Sequence, residues 1–205
     1  MNILVTGASS GVGFSCVDLM RSQGHVVTGW DSKICDFDHP ERIFEQDLSG
    51  YGMIINCAGH GQGHQNTFLK NTWQNQLSQI MVNYAANVLL FKHYVNSTAQ
   101  GRYVWIGTRL SLAPNQKPWQ AVYSSSKAAG AIAIEAAALE QSHVTTLEVQ
   151  LGLTRSNFRQ RSYESNVCTP DIEQAWANGN ALTADQAAQR IINAAFSKIN
   201  KVVIE

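Results

Sequence analysis

"NILVTGASSGVG", Asn2 to Gly13, is the stretch from which the fold is read. Its first five residues form a branched, apolar run that is too short for a helix and suits a buried strand. "TGASSGVG" follows at once, with Gly7, Gly11 and Gly13, and a helical pattern takes over from Val12 to Gln23. Glycines between a strand and a helix permit a tight turn and close backbone approach. The start of the helix then presents free N–H groups to a phosphate. This context makes Gly7, Ser9, Ser10, Gly11, Val12 and Gly13 candidates for holding a dinucleotide.

The same alternation continues outward. "HVVTGW" (25–30), "KIC" (33–35), "MIIN" (53–56), "RYVWI" (102–106), "TTLEVQL" (145–151) and "KVVIE" (201–205) read as further strands. Helices are predicted over Pro40–Asp47, Thr72–Ser97, Tyr123–Gln141 and Ala184–Lys198. Strands alternating with helices imply an α/β chain, a parallel sheet covered on both faces. Without repeats or linkers, residues 1–205 read as one domain. The weakly periodic segment from 156 to 182 is long for a plain connection and reads as a substrate loop or lid.

Asp31 closes the second predicted strand, 18 residues after Gly13. A carboxylate there accepts both ribose hydroxyls of an adenosine and repels a 2′-phosphate. The loop carries Ser9 and Ser10 rather than a basic residue, so NAD(H) is favoured, with NADP(H) possible because Lys33 is near. Asp31 as a turn cap is the competing reading.

"YSSSK", Tyr123 to Lys127, opens the alanine-rich helix. Residues four apart share a helix face. A lysine ammonium beside a phenol favours the phenolate and draws its pKa from about 10 toward neutrality, where a general acid/base works best. By itself the spacing is common. Its weight comes from its company.

Taken together, these stretches resemble the short-chain dehydrogenase/reductase family. "TGASSGVG" is similar to its T-G-x-x-x-G-x-G, "YSSSK" to its Y-x-x-x-K, and "NCAG" (56–59) to its N-N-A-G, with Cys57 departing. "CDF" (35–37) resembles the family's adenine-flanking pair, and Asn83 stands where it has a helix asparagine. The resemblance spans residues 1 to about 155. It implies a doubly wound, Rossmann-like sheet and hydride transfer between a nicotinamide and a secondary alcohol or ketone.

Carried over by position, Tyr123 is the acid/base and Lys127 holds the nicotinamide ribose. Asn83 holds a relay water, Asp36 and Phe37 flank the adenine, and Asn56, Ala58 and Gly59 line the inner ribose. The substrate hydroxyl is less settled. Thirteen positions before the tyrosine stands Leu110, whereas counting from the strand selects Thr108, with Ser111 as competitor. "LGLTRS" (151–156) replaces the family's Pro-Gly, leaving Gly152 for close approach and Ser156 for the carboxamide. Two alternatives stay open: an epimerase or dehydratase acting on a nucleotide sugar with bound NAD, and a non-catalytic dinucleotide-binding regulator.

Composition narrows the partners. Apolar residues make up 44% of the 205, charged residues 15%, and the net charge is zero. This describes a globular protein, with no basic excess for nucleic acid or anionic membrane. No apolar run approaches a membrane span, and "MNILVTG" lacks the signature of a signal peptide. A cytoplasmic protein is expected. The four cysteines show no C-x-x-C spacing, so no metal is expected. Arg155, Arg159 and Arg161 are candidates for an anionic substrate group, with solvation or pairing to Glu164 the competing reading. His60, His64 and Trp119 are candidates for the substrate entrance. "SKAAGAIAIEAAALE" (126–140) is charged at three positions only, which implies burial on two sides and hence a homodimer or homotetramer.

Overall fold

Strand β1 (Asn2–Thr6) forms where the branched run predicts it, and its flanks set the topology. In the computed structural model, which describes residues 1–61, 68–112, 115, 120–156, 158 and 170–205, the chain leaves β1 into helix α1 (Gly11–Ser22) and returns as β2 (Val26–Trp30). It then crosses to the other side of β1 as β3 (Met53–Asn56) and continues through β4 (Gly101–Thr108) and β5 (Val144–Leu151). A short parallel pair, β6 (Thr154–Arg155) with β7 (Leu182–Thr183), precedes the last strand, β8 (Lys201–Ile204). Among the described residues the main sheet has six strands, all parallel, in the order β2-β1-β3-β4-β5-β8.

Helices cover both faces. Ile3, Val5, Ile55, Val104 and Val149 face α1 and α6 (Ala184–Ala195). Leu4, Ile54, Tyr103 and Trp105 face α3 (Ala86–Ser97) and α4 (Ala121–Ala138). This is the doubly wound arrangement. Its topological switch lies between β1 and β3, the place in open sheets of this kind that opens a crevice outside the strands' carboxyl ends.

Two expectations need correction. Lys33–Cys35 is a turn, not a strand. The Asp31 carboxylate accepts the N–H groups of Lys33 (3.0 Å) and Ile34 (3.3 Å), and its carbonyl accepts those of Ile34 and Cys35. That local pairing supplants a ladder, so β2 is the sheet edge. The long helix predicted over Thr72–Ser97 is three pieces: α2 (Trp73–Ile80), a π turn (Met81–Ala85) and α3. The π turn has a visible cause. The Asn87 amide donates to the carbonyls of Val82 (2.9 Å) and Asn83 (3.0 Å), within the helical ladder.

Smaller differences concern helix ends. Pro40–Glu45 is a 3-10 helix started by its proline, and α4 begins at Ala121. Within the segment from 156 to 182, α5 (Pro170–Ala177) is helical. The β6–β7 pair ties the two ends of that segment together at its base.

Candidate active site

The switch point is built from backbone. Gly7 and Gly11 adopt φ of 65° and 56°, which side-chain-bearing residues rarely adopt. A Cβ on Gly7 would lie 2.9 Å from the Ala58 nitrogen, and one on Gly13 would lie 2.3 Å from the Gly7 carbonyl oxygen. The Thr6 hydroxyl ties the ends of the parallel neighbours β1 and β3. It donates to Asn56 Oδ1 and accepts the Ala58 N–H at 3.1 Å. Asn56 is buried and donates onward to Asn87 Oδ1 and, at 2.9 Å, to the Tyr103 hydroxyl. Asn56 therefore fixes the geometry of the crevice from beneath. Ser156, after β6, lies against Gly11, whose Cβ would approach the Ser156 Cβ to 3.2 Å.

At the far end of β2, Asp31 spends one carboxylate oxygen on its own turn. Asp36 does likewise, accepting the Asp38 N–H at 3.1 Å. Phe37 is buried among Trp30, Cys35, Ile43 and Leu48. Its ring belongs to the core of the β2 side. Gly152 makes its close approach to β8, since a Cβ there would lie 3.1 Å from the Ile204 carbonyl oxygen.

The side-chain half of the site gathers on α4. Tyr123 and Lys127 share a face one turn apart. Lys127 is buried, and its ammonium donates to the Ile106 carbonyl at 3.0 Å. Loss of hydration pushes its pKa down to about 8, with the nearby Cys57 acting weakly in the other direction. Gly59 abuts it, as a Cβ there would lie 3.2 Å from Lys127 Nζ and 3.6 Å from Asn83 Oδ1. The Tyr123 ring lies 6.0 Å from that of Phe158, within the segment from 156 to 182.

Asn83 is fully buried at the π turn. Its carboxamide clamps the His60 backbone, accepting the N–H (2.9 Å) and donating to the carbonyl (2.8 Å), and also donates to Ser126 Oγ at 3.2 Å. The Asn83 carbonyl accepts from Asn87. Its atoms thus hold the loop after β3 in place. Burial lowers the pKa of the His60 ring, against a smaller pull from Asp38.

Thr108 closes β4, nearly buried, and caps the 3-10 turn Arg109–Ser111. Its Oγ1 accepts the Leu110 N–H at 3.3 Å. Ser111 Oγ donates to the Thr108 carbonyl at 2.6 Å. Arg155 lies over the Trp176 ring, 5.7 Å from its centroid. His64, Trp119, Arg159, Arg161 and Glu164 fall outside the described residues. Among the described residues no cluster of His, Cys, Asp or Glu could hold a metal ion, and no helix is long and apolar enough to cross a membrane.

Sequence reading missed three contributors. Trp105 lies under Lys127, with Nζ 4.8 Å from the ring centroid. Asn87 and Tyr103 complete the buried network behind Asn56. The strand period puts Tyr103, Trp105 and Gly107 on one face, but nothing in it selects which helix residue each will meet.

A profile of the short chain dehydrogenase family matches residues 41–166, more than half of the chain. The chain belongs to the short chain dehydrogenase family. By that membership this short chain dehydrogenase is an NAD(P)-dependent oxidoreductase. Solved structures agree on the fold. A small-chain dehydrogenase in complex with NADPH superposes with a TM-score of 0.83 at 15% identity, covering 100% of this chain and 96% of that one. A serine dehydrogenase complexed with NADP+ gives 0.83 at 17% identity, covering 100% and 94%. A structure described as ribose-5-phosphate isomerase from Brucella melitensis gives 0.84 at 18% identity, covering 99% and 90%. No curated protein matches the sequence.

Proposed function

We propose that this short chain dehydrogenase transfers a hydride between a bound nicotinamide dinucleotide and a secondary alcohol or its ketone. One observation carries the reading. Among the described residues the buried Lys127 ammonium has one protein acceptor, the Ile106 carbonyl, and no carboxylate. A cation taken out of water is normally paired. Here two of its three hydrogens are left for a ligand, beside a glycine that lets the ligand approach. The positive-φ glycines and the Gly59 cradle fit a dinucleotide laid across the switch point.

When bound, the nicotinamide supplies the hydride acceptor or donor. The chain's residues manage the oxygen. Tyr123 trades the proton with the substrate oxygen, and Lys127 holds ribose hydroxyls while its charge favours the phenolate. Thr108 offers the orienting hydroxyl. It is held by the end of β4, whereas the Ser111 proton already serves the Thr108 carbonyl.

Two observations pull on the cofactor's 2′ position in opposite directions. The second Asp31 oxygen is left to meet a ribose hydroxyl and would repel a phosphate, which supports NAD(H). Two of the structural neighbours named above, the small-chain dehydrogenase and the serine dehydrogenase, hold NADPH and NADP+, which supports the phosphorylated form. Calorimetric titration of both reduced cofactors decides. Tighter NADH binding, with the gap narrowed in Asp31→Ser, sustains the Asp31 reading, and tighter NADPH binding overturns it. Coupling that titration to nicotinamide absorbance with a panel of alcohols and ketones tests turnover. Binding without any turnover would favour a regulatory role.

The proposed assembly is a homo-oligomer. Trp73, Leu77, Ile80 and Tyr84 form an exposed stripe at helical spacing, and Ile132 on the adjoining α4 is 67% exposed. Sedimentation at micromolar concentration is expected to give a dimer or tetramer, and a monomer alone would reject the idea.

A further inference from the structure

We propose that Trp105 is a positioning residue for Lys127, its indole face carrying the buried ammonium and fixing where that ammonium points. The ammonium sits 4.8 Å from the ring centroid, and both residues are nearly fully buried. A ring face attracts a cation, and more strongly when water is excluded. The hydrogen bond from Nζ goes to the carbonyl of Ile106, the next residue along β4. One strand therefore supplies both the acceptor and the π face.

Two glycines leave the ring its slot. On the helix side a Cβ at Gly130 would lie 2.8 Å from the Trp105 ring and 3.1 Å from the Asn83 carbonyl oxygen. On the sheet side a Cβ at Gly107 would lie 3.2 Å from the indole nitrogen and 3.1 Å from Glu148 Oε1. No other residue type leaves room for the indole at either place without displacement. A tryptophan on β4 and a glycine three residues after Lys127 on α4 are thus one complementary pair.

The charged and titratable groups around Lys127 leave the ring as its partner. Cys57 approaches from the loop after β3, and Tyr123 lies on the same helix. Glu148 on β5 lies beyond the indole, and its carboxylate is 2.5 Å from Lys201 Nζ. Glu135, two turns along α4, also faces Lys201. Among the described residues no carboxylate pairs with Lys127. The π face stands in for the missing counter-ion without closing off the ammonium's remaining hydrogens, as a carboxylate would. The functional meaning rests on the proposed role of Lys127 at the ribose.

The test is an NMR titration of the lysine ε-carbons in the cofactor-free protein, with the Lys127 resonance identified by its loss in Lys127→Met. Trp105→Leu is expected to lower the Lys127 midpoint by roughly half to one pH unit, a three- to tenfold loss of proton affinity. Trp105→Phe keeps a π face and should recover most of it. Gly130→Ala leaves the indole intact but drives it off its place, and should lower the midpoint as Leu does. It also covers the case in which Trp105→Leu does not fold. Midpoints unmoved in Gly130→Ala, or moved equally by Phe and Leu, would assign Trp105 to packing alone and overturn the proposal. NADH affinity measured alongside separates the two readings. If the midpoints move as expected yet Lys127→Met binds NADH as well as the unmodified protein, the pairing stands and the ribose role falls.

Discussion

Two lysines reach the α4 side of the sheet, and the protein treats them in opposite ways. Lys201, at the start of β8, lies 2.5 Å from the Glu148 carboxylate and 3.7 Å from Glu135, with half of its side chain in water. The hydrogen bond to Glu148 raises its pKa. Lys127 is buried against a carbonyl and a ring, with no acid among the described residues, and loss of hydration pushes its pKa down to about 8. The first lysine is satisfied by the fold. The second is held in place by the fold without a counter-ion among the described residues, at a cost in stability, as the proposed role at the ribose requires.

The sharpest way to break this comparison is through activity. Tyr123→Phe is expected to reduce turnover by about 10²–10⁴-fold with NADH affinity nearly unchanged. Lys127→Met should damage both turnover and affinity, and Lys201→Met should leave both close to the unmodified protein. A steady-state comparison in which Lys201→Met matches Lys127→Met would erase the distinction between the two lysines.

Stability should move the other way. Lys201→Met strands the nearly buried Glu148 carboxylate. Because Lys201 is half exposed, water takes over part of its role, and a loss of about 1–2 kcal/mol is expected. Lys127→Met removes a buried charge that has no counter-ion among the described residues and should stabilise the protein near pH 7. Urea midpoints for the three proteins, with equal m-values, check both signs.

Raising the pH sharpens the contrast. A folded-state pKa near 8 against an ordinary value of 10.5 means that between these pH values the unfolded chain binds more protons at Lys127 than the folded one. Stability from this group therefore rises with pH across that window. Lys201 behaves oppositely. Its contribution is present at lower pH and is lost as pH climbs through its raised pKa. Buried Cys16, Tyr94 and Tyr103, all with raised pKa, also lose stability at high pH. The informative quantity is thus the difference between the unmodified protein and Lys127→Met. The variant's advantage should shrink from pH 7.5 to pH 10, and a constant advantage would show that Lys127 titrates normally.

The smallest expected effect concerns the substrate hydroxyl. Thr108→Val keeps the shape at the end of β4 and deletes the hydroxyl, so it should lower turnover more than Ser111→Ala, measured on one substrate at saturating cofactor. The reverse ranking would move the orienting role to Ser111.

Much of the scaffold was legible because it depends on local chemistry. The branched run at Asn2–Thr6, the glycines after it and the helix behind them occupy the predicted places. So does Thr72, which begins α2 by accepting the Asn75 N–H. The reading failed where one side chain outcompeted a ladder. Asp31 folds Lys33–Cys35 into a turn, and Asn87 opens a π turn in what periodicity describes as one helix. Apolar patterning averages over such single hydrogen bonds and does not register them.

Sequence alone determined the strand–glycine–helix order, the tyrosine and lysine on one helical face, and the family. These follow from spacing along one chain, where backbone geometry fixes which residues are neighbours. Tertiary structure decided what surrounds those residues. It buried Lys127 with no carboxylate beside it among the described residues, set Trp105 beneath it through two glycines 23 positions apart, and spent Asn83 on the His60 backbone. Those contacts join β3, β4 and α4 across the sheet. Whether a buried charge finds a partner depends on which strands and helices meet, and no periodicity within one element carries that information.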